Sequence, residues 1–161
     1  MGRIIKAKEV QAKKTVALAR WLLGKYLVRR HVDGRNEVRM IVETEAYDGE
    51  QDLACHARVG RTKRTEVMQA PGGTWYVYLC YGVHEMLNLV VGPRDWPAAV
   101  LERGVEGAVG LGRLTKALGI GLELNAMDAT SSISGLWIED RGVLVPRRAV
   151  KVAPRVGVDY E

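Results

Sequence analysis

Glu43, Glu45 and Tyr47 alternate along one stretch of this sequence, and His56 follows in the next polar run. A carboxylate can take a proton from water or steady a developing positive charge. An aromatic plane can hold a flat ligand, and a histidine can stack, donate or accept. These side chains share a pocket only if the chain turns them to one face. Val38, Met40, Val42 and Thr44 alternate with Arg39, Ile41, Glu43 and Glu45, a period of two that predicts a strand. On a strand Glu43, Glu45 and Tyr47 project from one face, the carboxylates roughly 7 Å apart. Asp48-Gly49 and the following polar residues make a loop before Ala54-Cys55-His56. The same residues also fit a plainer arrangement, in which Glu43 and Glu45 are solvated strand-end charges paired with Arg39 and His56 is an ordinary loop histidine.

A second stretch, residues 74–91, reads as two strand-like arms rich in aromatic and branched side chains, hinged at Tyr81-Gly82-Val83-His84. Hairpin tips normally carry Asn, Asp or Gly, because a large apolar side chain there stays in water. An exposed tyrosine at the tip has the shape of a wedge between base pairs. Alternatively Tyr81 folds back onto the sheet. Tyr76 and Tyr78 face the same way along the first arm, and Asn88 sits in the second, where strand propensity gives no reason for it. Between the two stretches lie Arg58, Arg61, Lys63 and Arg64, a charge run suited either to plain solvation or to phosphate contact.

The elements that must carry these residues follow from the rest of the pattern. Residues 9–23 read as an amphipathic helix stopped by Gly24. Residues 26–31 and 37–45 flank Asp33-Gly34, a hairpin turn signal, so the Glu45 strand is the second arm of a hairpin. Residues 98–103 read as a strand ending in Arg103, residues 110–120 as a short helix, and residues 136–138, 143–145 and 150–158 as turns and short strands. The expected fold is α+β: a single domain over residues 1–161, with a curved, mainly antiparallel sheet, packed helices and a protruding β-hairpin. With 161 residues, 47% of them hydrophobic, the chain can bury a real core. Its +5 net charge favours a polyanionic partner without bearing on fold. No run of 18 apolar residues spans a membrane, the N-terminus lacks an apolar signal core, and two cysteines make no disulfide framework, so a soluble intracellular protein is expected.

Five blocks taken in order, ETEAYDGEQDLACHA, GGTWYVYLCYGVHEMLN, AAVLERG, GLGRLTKALGI and RVGV, resemble the 3-methyladenine (alkyladenine) DNA glycosylase family. The resemblance implies a base-excision-repair enzyme that flips a damaged purine out of double-stranded DNA and hydrolyses its N-glycosidic bond. Glu45 would be the general base for water, with Arg103 and the main-chain carbonyl of Val156 helping to hold that water. Tyr47, His56 and Tyr78 would sandwich the purine, the main chain at Ala54 and His56 would meet its edge, and Asn88 would crowd the exocyclic amine of ordinary guanine. Tyr81 would intercalate in place of the flipped nucleotide, and Arg58, Arg61, Lys63 and Arg64 would contact the DNA backbone. A monomer with no cofactor and no metal is expected, cytoplasmic and nucleoid-associated if bacterial, nuclear if eukaryotic. The chain departs from the family at Met68-Gln69, where the family often has Met-Phe, in a longer connection at residues 92–97, and in ending at Glu161 soon after RVGV. Two other readings compete: a zinc site from Cys55, His56, Cys80 and His84, and a non-catalytic nucleic-acid-binding module. The zinc set lacks paired CxxC spacing, and a passive groove gains nothing from a carboxylate at Glu45.

Overall fold

The computed structural model describes residues 2–49 and 51–155. These residues form eight strands: β1 (Arg3–Ile4), β2 (Tyr26–Arg30), β3 (Asn36–Tyr47), β4 (Trp75–Cys80), β5 (His84–Val91), β6 (Ala98–Val105), β7 (Ala108–Val109) and β8 (Leu136–Asp140). Two α-helices, α1 (Thr15–Leu22) and α2 (Arg113–Leu118), complete the regular elements. The sheet runs β1-β8-β2-β3-β6-β5-β4, with β7 on β6, so the α+β, mainly antiparallel expectation holds.

Strand β3 joins the two halves of the sheet. Its first residues pair with β2 across the turn at Asp33-Gly34, and the stretch from Ile41 to Tyr47 pairs with β6. The register shifts on both sides of Glu43, a bulge that bends the strand and curls the sheet. Gly104 lies opposite; a Cβ there would come within 3.2 Å of the Glu43 Cβ, so a side chain would crowd the bend.

Pairing sorts the side chains into two faces. Ala46, Val100, Leu89 and Trp75 align across β3, β6, β5 and β4, and the last three are fully buried in the main core under α1 and α2. One position along, Glu45, Leu101, Asn88 and Tyr76 align on the opposite face. There a smaller cluster of Cys55, Ala57, Met68, Tyr76, Val90 and Ala99 lies beneath the loop of residues 48–70. Thr44 points to the main-core side and donates to the Ala19 carbonyl at 2.8 Å, tying β3 to α1.

One core-face residue breaks the apolar pattern. Glu102, paired with Thr44, is only 2% exposed, and neither carboxyl oxygen has a hydrogen-bond partner among the described residues. Burial alone pushes its carboxyl up to about 8.

The expected helix over residues 9–23 is corrected. The chain makes a short 3-10 turn (Ala7–Val10), breaks, and restarts as α1. The carbonyl of Val10 accepts the Gly92 amide at 2.8 Å, so it serves the sheet rather than a further helical turn. Residues 143–145 and 150–155, expected as short strands, carry no strand pairing. They belong to an arm whose only regular turn is a 3-10 turn (Arg147–Ala149) and whose Val145 packs on Gly24. Strand propensity is lost there because the apolar residues find a small side-chain-free seat instead of a sheet edge.

Candidate active site

Glu45 lies on the face opposite the main core and is 8% exposed. One carboxylate oxygen accepts the Tyr47 hydroxyl at 2.8 Å, and the other lies 3.7 Å from Arg103 Nε. Arg103 in turn donates through one terminal nitrogen to both oxygens of Glu43 at 3.0 Å. Glu43 therefore pairs with Arg103, and Arg39 pairs with Glu37 instead, which overturns the solvated Arg39 arrangement. The alternation of acidic residues signalled Glu43 and Glu45 equally; only the cross-strand position of Arg103 separates their environments.

The aromatic residues gather beside this group. The His56 ring packs on Tyr78 with centroids 4.4 Å apart, and Nδ1 of His56 meets the Tyr76 hydroxyl at 3.1 Å. Tyr76 and Tyr78 are 5.3 Å apart. His56 and Tyr78 thus form one continuous surface rather than two separated walls. A flat ring held between Tyr47 and this surface would have Tyr47 on its other side. Burial shifts the His56 imidazole down, with help from the nearby Arg64 charge, and favours its neutral form. Burial pushes the Tyr47 and Tyr78 phenols up, so both remain hydroxyl donors.

Asn88 is 4% exposed, and its amide donates to the Tyr76 carbonyl at 3.2 Å. That bond explains how a polar side chain survives mid-strand: it is pinned by the neighbouring arm. The Ala54 amide is engaged by Asp52 at 3.0 Å, so the loop is held by an internal acid rather than presented bare. Asp52 also accepts Arg155 through both oxygens, at 2.6 and 3.0 Å, and the Arg155 guanidinium lies 4.8 Å from the Tyr47 ring centroid. The sequence alone pointed to neither Asp52 nor Arg155. The second is separated from Tyr47 by most of the chain, and no local pattern marks it.

Tyr81 stands at the hairpin tip, 86% exposed, with φ of 53°, followed by Gly82 at 67°. The Val83 amide closes the turn onto the Cys80 carbonyl at 3.1 Å. Two successive left-handed residues suit a tight hairpin, and a tyrosine in that conformation is strained by about 1 kcal/mol or more. The fold-back alternative for Tyr81 is excluded by its exposure. Arg58, Arg61 and Lys63 are exposed, and Arg61 reaches Asp95 at 2.8 Å. Arg64 turns inward, donating to the Leu79 carbonyl at 3.1 Å with its guanidinium 5.1 Å from the Tyr78 centroid. Val156 lies outside the described residues. Cys55, His56, Cys80 and His84 do not converge as a metal-binding group among the described residues.

A cleft of about 700 Å³ opens beside Glu45 from the α1 side, lined by Glu43, Glu45, Asp52, Lys151 and Arg155 among others. Tyr78 and His56 do not line it, so the carboxylate stands between an aromatic surface and a polar, solvent-open cleft.

The sequence model of the methylpurine-DNA glycosylase family matches residues 9–111. The chain belongs to that family. Relatives named only as candidate 3-methyladenine DNA glycosylases agree with the match. One from Myxococcus xanthus is 46% identical over 158 residues, covering 92% of this chain and 79% of the relative. One from Psychrobacter cryohalolentis is 40% identical over 178 residues, covering 92% and 82%. One from Methanocella arvoryzae is 42% identical over 166 residues, covering 91% and 80%. Family membership makes the chain a DNA glycosylase, a hydrolase of DNA repair, and DNA its substrate. No helix of the described residues is long and apolar enough to cross a membrane.

Proposed function

We propose that the chain is a monofunctional purine DNA glycosylase that extrudes an alkylated or otherwise damaged purine, such as 3-methyladenine, and leaves an abasic site. The observation that carries this reading is the buried Glu45, held between Tyr47 and Arg103 at the border of an aromatic surface and a polar cleft. A base inside a duplex is out of reach of this carboxylate, so the nucleotide must rotate out, at a cost of a few kcal/mol. The purine then stacks against Tyr47 on one side and the Tyr78–His56 surface on the other. The C1′–N bond breaks with its electron pair leaving on the purine, and positive charge develops at C1′. Water attacks C1′ as its proton passes to Glu45, and the carboxylate steadies the charge until the bond forms. Arg103, anchored by Glu43, holds the Glu45 carboxylate in place, and the cleft gives water a route that DNA on the aromatic side does not block. Asn88 stands at the floor of the aromatic group, where it would crowd the exocyclic amine of guanine.

The direct test is incubation of the purified monomer with duplexes carrying one defined lesion, followed by alkali. Strand scission that appears only after alkali supports water as nucleophile. Scission without alkali, or a trapped enzyme–DNA adduct after borohydride, would show amine chemistry instead.

Tyr81 supports the flipping step. Its exposed, strained placement gains nothing in the free protein, whereas stacking on exposed bases is worth about 1–3 kcal/mol. Tyr81→Ala is therefore expected to leave the melting temperature nearly unchanged and to weaken lesion-duplex binding about ten- to a hundred-fold. Unchanged affinity on the same preparation would remove Tyr81 as the wedge.

A further inference from the structure

We infer that Arg64 is a specificity-determining residue whose charge turns the purine pocket toward lesions that are neutral when bound and away from permanently cationic ones. The inference rests on the reading of Tyr47, Tyr78 and His56 as the purine-holding surface, and it names the substrate class that this surface favours.

Both aromatic sides of the pocket carry a guanidinium. Arg155 lies 4.8 Å from the Tyr47 centroid, and Arg64 lies 5.1 Å from the Tyr78 centroid. The two are electrostatically different. Arg155 is neutralised by Asp52, 8% exposed, through two short contacts. Arg64 donates to the uncharged Leu79 carbonyl and pairs with no carboxylate among the described residues. Its charge therefore reaches the pocket uncompensated. A second observation agrees: the same guanidinium helps to disfavour the protonated form of His56, the ring stacked on Tyr78. A cation that disfavours imidazolium at that position disfavours a purinium beside it for the same reason. Arg64 also draws on the π-face of Tyr78, leaving less attraction for a second cation across the ring. A neutral purine pays neither penalty, because its stacking is mainly dispersion and area.

The chain supplies an anchor for this arrangement. Thr65 beside Arg64 is buried and locked by bonds to Thr62 and the Gly60 carbonyl, so the loop fixes the direction of the arginine. Leu79 lies on β4 shortly before the Tyr81 tip, which makes Arg64 a strut between the pocket loop and the hairpin.

The experiment compares wild type, Arg64→Gln and Arg64→Lys, at one fixed salt concentration, on two duplexes. One carries hypoxanthine, a neutral deaminated purine; the other carries 7-methylguanine, whose nucleoside bears a fixed positive charge. Single-turnover release and affinity are measured for each. Arg64→Gln is expected to raise the ratio of cationic to neutral lesion processing about five- to tenfold, the size of one charge pair near 6–7 Å at intermediate dielectric. Arg64→Lys, which keeps the charge, is expected to hold the wild-type ratio. A phosphate contact alone would lower both substrates together in Arg64→Gln, and an unchanged ratio overturns the inference. A ratio that shifts equally in Arg64→Lys also overturns it, since shape rather than charge would then discriminate. Failure of the underlying site reading looks different: wild type would release neither base, or a Glu45→Gln variant would release both at the wild-type rate.

Discussion

Glu45→Gln is expected to cut base release about 10²–10⁴-fold while the variant still folds and still binds lesion duplex. Glutamine keeps the size of the side chain, and its amide oxygen can still accept the Tyr47 hydroxyl that lies 2.8 Å from the carboxylate. What disappears is the negative charge and the ability to take a proton from water. Arg103 does not lose its anchor, because its 3.0 Å contacts are to Glu43 and only a 3.7 Å approach is to Glu45. The substitution therefore separates chemistry from architecture unusually well for a buried charged residue. Single-turnover release, melting temperature and binding to a lesion duplex should be measured on one preparation. Release within a few-fold of wild type would remove Glu45 as the base. A collapse of melting temperature would instead mark it as a structural partner of Arg103.

Replacing Glu102 by leucine is expected to stabilise the protein by about 2–4 kcal/mol at pH 7. The carboxyl is buried among the apolar side chains of the main core, its oxygens have no hydrogen-bond partner among the described residues, and it is pushed up to about 8 from an ordinary 4.5. Below the unfolded-state value both folded and unfolded chains hold the proton, and the group costs nothing through ionisation. Above it the unfolded chain ionises while the folded chain keeps its proton, so wild-type stability falls as pH rises from about 4.5 to about 8. Beyond that the folded carboxyl ionises too, and the loss levels off. Leucine removes this pH-dependent loss and leaves only a small, pH-independent gain from burying apolar atoms. Denaturant midpoints for both proteins from pH 4.5 to 8.5 check the sign. A wild-type-to-variant difference that stays flat over that range would contradict a buried neutral Glu102.

The sequence determined the strands by alternation and the turns by their glycines, which is why β3, its hairpin with β2, the β4–β5 hairpin and β6 lie where periodicity puts them. It also determined which side chains could do chemistry, since Glu45, Tyr47, Tyr78 and Asn88 fall on the face that alternation assigns to them. Tertiary structure decided what those side chains touch. Arg39 looked like the partner of Glu43, but the bulge beside Gly104 and the register of β6 hand Glu43 to Arg103. The helix over residues 9–23 was broken by a distant glycine taking the Val10 carbonyl, a contact with no local trace. Arg64 looked like one more member of a solvated basic run, yet the hairpin carbonyl at Leu79 turns it inward. Asp52 and Arg155 meet only because the chain's far end returns to the β3 loop. Local spacing reports the direction in which a side chain points from its own strand. The partner it meets depends on strand register and on which distant segment packs across, and neither leaves a periodic signal.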